Sequence, residues 1–183
     1  MNDGFIFNTI RNLSEFKDKK TYLILVNPQL QPPHVALGFG EHYFSLTVAG
    51  PETEIPLELR IKLYRLRKIP VLFIQLKDSS MTPSVAQLTS VFKEFPPLSE
   101  HGSCLQPVVK AIQMMYTSEP PEPLLFGLLD MLDSRNLIGN SFQLNMENLI
   151  SGNGSFCIER YDAATIKKHI QRLKNRKRQQ GRQ

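Results

Sequence analysis

The sequence predicts an α+β fold in which an antiparallel β-sheet packs against the helix that begins at Cys104. Three observations lead there. Residues 21–27, 34–39, 42–48 and 69–76 are short apolar runs rich in strand formers, bounded by Gly and Pro and too brief for helices. Two of them, 34–39 and 42–48, are separated only by Gly40-Glu41, as in an antiparallel hairpin. Beyond residue 82 the apolar spacing turns helical, first through Val85, Leu88, Val91 and Phe92, then from Cys104 through Val108, Val109, Ile112 and Met115.

Taken in order, residues 4–17 place Phe5, Ile6, Ile10, Leu13 and Phe16 near helical spacing, so a short amphipathic helix is expected first. The strand at 21–27 ends in 28–33, where Pro32-Pro33 offers no ladder donor. In 42–48, Tyr43, Ser45 and Thr47 alternate with Phe44, Leu46 and Val48, which predicts one buried face; Ala49-Gly50-Pro51 closes the strand. Residues 55–67 alternate strictly, with Leu57, Leu59, Ile61 and Leu63 on one side and Glu58, Arg60 and Lys62 on the other. That predicts a strand with a basic, solvated face. Thr82 is the expected N-cap of the next helix and Pro83 its first residue, with 95–97 ending it. Ser103 suits the cap of the cysteine helix, and Pro107 is tolerable in the first turn. Residues 119–123 form a proline-rich turn and 124–132 an apolar core helix. Residues 134–155, rich in Asn, Ser and Gly, resist assignment; 156–158 fit a late strand and 163–177 a C-terminal helix.

Composition narrows the class. Hydrophobic content of 41% and charged content of 21% suit a soluble globular domain, and no apolar run approaches a membrane span. The N-terminus lacks the basic start and apolar core of a secretory signal, which makes a cytoplasmic location the default and signal-independent export the alternative. The net charge of +5 conceals a division. Residues 167–183 hold eight Lys/Arg and no acid, leaving 14 basic against 17 acidic side chains in residues 1–166. Such a tail suits nucleic acid or anionic lipid, or is simply a solvated end.

Chemistry centres on Cys104 and His34. A thiol at a helix start meets unpaired N–H groups and the positive end of the dipole, which favour the thiolate. Cys104 would be the nucleophile, His34 the base and later the acid, and the Cys104 N–H part of an oxyanion site. His101 is a rival base without fixed geometry; His42 reads as a turn residue, His169 as part of the basic helix, and Cys157 as a core residue. Cysteine more often behaves as a buried small hydrophobe than as a reactive group. No Cys/His pair has zinc-ligand spacing, and Gly38 and Gly40 lack the rest of a phosphate-binding loop, so no metal or cofactor is expected.

The order of a histidine strand, further strands, a short helix and then a cysteine helix resembles the circularly permuted papain-like hydrolases. Among them are the NlpC-like permuted amidases, the lecithin retinol acyltransferase-like enzymes and the PPPDE isopeptidases. The segment His34-Val-Ala-Leu-Gly-Phe-Gly-Glu-His-Tyr-Phe44 is similar to their histidine hairpin, and the likeness spans about residues 21–116. Ser103 and Pro107 stand where those families have Asn and an aromatic or apolar residue, and 45–47 offers no charged or imidazole group. The resemblance implies a single papain-like domain over 1–166, followed by the basic segment 167–183. It also implies hydrolysis or acyl transfer at an amide, isopeptide or ester bond of a peptide, protein or lipid acyl substrate, through a Cys104–His34 dyad. The alternative is a non-catalytic binding module, or an inactive relative, that uses its basic tail to reach an anionic partner.

Overall fold

The computed structural model describes residues 4–15, 19–79, 81–98, 103–116, 124–162 and 164–165. Nine strands are found among them: β1 (Gly4–Phe7), β2 (Ile10–Asn12), β3 (Thr21–Val26), β4 (His34–Phe39), β5 (His42–Thr47), β6 (Gly50–Pro56), β7 (Val71–Leu76), β8 (Ile138–Leu144) and β9 (Phe156–Glu159). Four helices accompany them: α1 (Leu57–Leu66), α2 (Val85–Lys93), α3 (Leu105–Tyr116) and α4 (Leu125–Ser134). Seven strands form one sheet in the order β2-β8-β7-β3-β4-β5-β6, antiparallel throughout except for the β2–β8 pair; β1 and β9 form a separate antiparallel ribbon. The chain is thus mixed α+β with a mostly antiparallel sheet.

Both faces of the sheet are covered, which is why its central strands read as continuous apolar runs. Alternation divides them cleanly. Leu23, Leu25, Val35, Leu37, Phe44, Leu72 and Ile74 join one buried cluster with residues of α2, α3 and α4. Tyr22, Ile24, Val26, Ala36, Tyr43, Val71 and Phe73 join another with Leu57 and Tyr64 of α1. Three helices therefore cover the first face, and α1 packs on the second. Gly38 lets α1 come close, since a Cβ there would sit 3.2 Å from the Ile24 side chain and 3.4 Å from that of Leu57.

Several expectations are corrected. Of the helix expected over 4–17, residues 4–7 and 10–12 are strands instead, paired with β9 and β8, partners far along the chain that local spacing does not reveal, and Leu13–Glu15 is a 3-10 turn. Gly50-Pro51 does not close β5 but opens β6, the third strand of a meander. Tyr43, Phe44, Ser45 and Leu46 are all buried, so both faces of β5 are covered rather than one. The cap of α2 is Ser84, not Thr82; it accepts the Gln87 N–H at 3.2 Å while the Gln87 side chain takes the Ser84 N–H at 2.8 Å, a capping box. Residues 138–144, left unassigned from sequence, are β8, an interior strand between β7 and β2.

The largest correction is α1. Residues 57–66 are a helix, although their apolar and polar residues alternate with strand period. Leu, Glu, Arg and Lys are strong helix formers, Glu58 and Arg65 complement the macrodipole at the two ends, and Glu58 pairs with Lys62 at 2.7 Å one turn on. The alternation arises because the apolar residues serve two sides. Leu57, Ile61 and Tyr64 pack on the sheet, whereas Leu59 and Leu66 face outward. The basic segment 167–183, the helix expected over 163–177, the turn at 119–123, His101 and His169 lie outside the described residues, except for positions 164–165.

Candidate functional site

Cys104 stands where the sequence placed it, immediately before α3. Ser103 behaves as the cap: its hydroxyl accepts the Leu105 N–H at 3.2 Å and its carbonyl accepts the Gln106 N–H at 3.3 Å. The half-buried thiol packs against the apolar cluster beneath α2, α3 and α4. It accepts the Val35 N–H at 3.4 Å, just past the end of the β4–β5 ladder, whose pairing starts at Ala36. Burial pushes the thiol above its ordinary range; the N–H groups of Val35 and of Cys104 itself pull the other way but do not prevail. Desolvation outweighs the helix-terminus effect here, and the result is a protonated thiol at neutral pH.

His34 also starts its strand as expected, and its ring lies on the α1 side of the sheet. Side chains alternate across β4, so His34 and Ala36 share one side and Val35 and Leu37 the other. The His34 Nε2 lies 2.7 Å from Ser45 Oγ, and Ser45 is the cross-strand partner of Ala36, a member of the α1-side cluster. Cys104 meets Val35 and the other cluster. Among the described residues no hydrogen bond joins the thiol to the imidazole, and each has a different partner.

What surrounds His34 instead is a polar network that the sequence reading missed. Fully buried Ser45 links His34 towards Tyr43, whose pKa it helps to lower against the dominant upward push of burial. The Tyr43 and Tyr64 hydroxyls are hydrogen-bonded at 2.8 Å. Arg60 of α1 lies over the Tyr43 ring at 4.7 Å and over the Tyr64 ring at 5.9 Å, and it pairs with Glu52 of β6 at 2.8 Å. Burial lowers the His34 pKa; Glu52 raises it and Arg60 lowers it further, so the neutral imidazole is favoured. A bulge in β6 makes the arrangement possible. Pairing steps from Tyr43–Ile55 to Ser45–Glu52, and Glu54 takes a positive φ of 59°. Glu52 can then reach Arg60 on one face while Glu54 accepts the Thr89 hydroxyl of α2 at 2.8 Å on the other.

Chemically, this network satisfies and orients buried polar groups. Ser45 has no exposed surface from which to meet a substrate. The signal for it in the sequence was a lone serine between Phe44 and Leu46 on a strand with both faces buried, because a buried hydroxyl demands partners. Of the other candidates, His42 opens β5 and its Nδ1 is buried without a hydrogen-bond partner. Cys157 lies on β9, paired with Ile6 of β1. Among the described residues no three His, Cys, Asp or Glu side chains converge as metal ligands, and no helix is long and apolar enough to cross a membrane. No protein-family model, curated protein or solved structure matches this chain.

Proposed function

We propose that this protein is a non-catalytic binding module whose basic segment, residues 167–183, holds an anionic, phosphate-bearing partner. The carrying observation is the division of charge, with eight Lys/Arg and no acid in that segment against a net acidic remainder. A run of this kind attracts phosphates through counterion release. The hydrolase reading lacks a hydrogen bond between the Cys104 thiol and the His34 imidazole, each of which is engaged elsewhere. On the papain-like resemblance, the chain is then an inactive relative.

The test is fluorescence anisotropy with a labelled DNA duplex as a polyanion probe, comparing the full chain with one lacking residues 174–183. Five of the eight cations go with that truncation. Affinity should fall by roughly 10³-fold or more at low salt, with a shallower salt dependence and an unchanged melting temperature. Equal affinity and equal salt slope in the two chains would refute the proposal.

A further inference from the structure

Helix α1 carries a second apolar face, with Leu59 and Leu66 exposed and Leu63 half-buried. Leu59, Leu63 and Leu66 follow at spacings of four and three, which puts them on the side opposite Leu57 and Tyr64. Leu59 is 57% exposed and Leu66 81%, whereas Leu57 and Tyr64 are buried. Lys62 lies within this outer face, and exposed Arg65, Arg67 and Lys68 gather at its C-terminal end. Glu58 is the acid on this side of the helix, and Lys62 pairs with it at 2.7 Å. Among the described residues, none is an ion-pair partner of Arg65, Arg67 or Lys68. Cations in a last turn complement the helix dipole, but the dipole gives no reason for two leucines at the surface beside them.

We infer that this face docks on an anionic lipid bilayer. The leucines enter the headgroup boundary, and Lys62, Arg65, Arg67 and Lys68 meet the lipid phosphates and carboxylates. A nucleic acid would use the cations and leave the leucines in water. A peptide would need a groove, but α1 presents a convex ridge. A cavity of about 170 Å³ lies elsewhere, between residues 28–31 and 156–159. A bilayer is flat and deformable, and it takes apolar and cationic groups at once. The inference deepens the proposed anion-binding function and rests on it for the second anchor, since stable membrane attachment takes two signals and the basic segment supplies the other.

The experiment is co-sedimentation of the full chain with phosphatidylcholine vesicles, with and without phosphatidylserine, run beside the DNA-duplex assay. The full chain should bind the phosphatidylserine vesicles and not the neutral ones. Leu59→Ser/Leu66→Ser changes exposed side chains and should keep the wild-type melting curve. It should weaken vesicle binding about tenfold and leave duplex binding unchanged. Arg65→Gln/Arg67→Gln/Lys68→Gln should weaken vesicle binding roughly a hundredfold. Vesicle binding untouched by the leucine pair, or abolished only by removing residues 174–183, would overturn the inference and leave the basic-segment proposal standing. Absence of vesicle binding by the full chain overturns it as well; absence of duplex binding too would remove both.

Discussion

On one face of the seven-stranded sheet, three helices bury an almost wholly apolar cluster. On the other, α1 covers a cluster threaded by His34, Ser45, Tyr43, Tyr64, Arg60 and Glu52. The two faces use different forces. Beneath α2 and α3, Phe44 and Phe92 pack with ring centroids 5.5 Å apart, and nothing but dispersion and exclusion of water is asked of them. Beneath α1, packing is joined by hydrogen bonds that must all be made, because a buried polar group left alone costs more than its bond returns. Cys104 packs with the first cluster, and the His34 ring bonds to Ser45 beside the second.

The largest effect should come from the apolar face. Phe44→Ala removes a fully buried ring and should cost about 3–5 kcal/mol, read by chemical denaturation. On the polar face, Ser45→Ala removes little volume but strands His34 Nε2 and weakens the hold on Tyr43, for a loss of about 1–3 kcal/mol. If Ser45→Ala were neutral, the network would be incidental and the two faces would differ only in composition.

A smaller effect separates the faces by pH. Burial holds the His34 pKa below its ordinary value of 6.5, so the unfolded chain binds the proton more readily than the folded one. Stability from this residue is fully present above pH 6.5 and is lost as pH falls below it, through the depressed folded-state pKa. His34→Gln should flatten the decline in melting temperature on the acid side of neutrality. No substitution on the apolar face should alter that slope. A variant that keeps the full decline would show that the titrating group lies elsewhere.

Much of the fold was legible because the central strands are short, apolar and bounded by Gly and Pro. The hairpin 34–47, the strand at 71–76 and the helices at 85–93, 105–116 and 125–134 follow directly from pattern. Failures cluster where the pattern serves two masters or a distant partner. In α1 the odd-numbered leucines split between the sheet and the outside, and a period of two resulted from a helix with two apolar faces. In β1, β2 and β8 the strand is made by pairing with residues remote in sequence. The candidate site shows the same limit. Sequence placed Cys104 before a helix and His34 at a strand start, and both are there. Which way a strand side chain turns depends on parity: Val35 packs in the cluster that Cys104 joins, and His34 turns to Ser45.

The most direct test is the titration of the Cys104 thiol, followed by the pH dependence of its alkylation rate in a Cys157→Ser background. With burial raising the thiol and no hydrogen bond joining it to the imidazole, reactivity should rise only above the ordinary thiol range, and the profile should be the same in His34→Gln. A reactive thiolate already present near neutral pH, and lost when His34 is replaced, would contradict this account and restore the dyad.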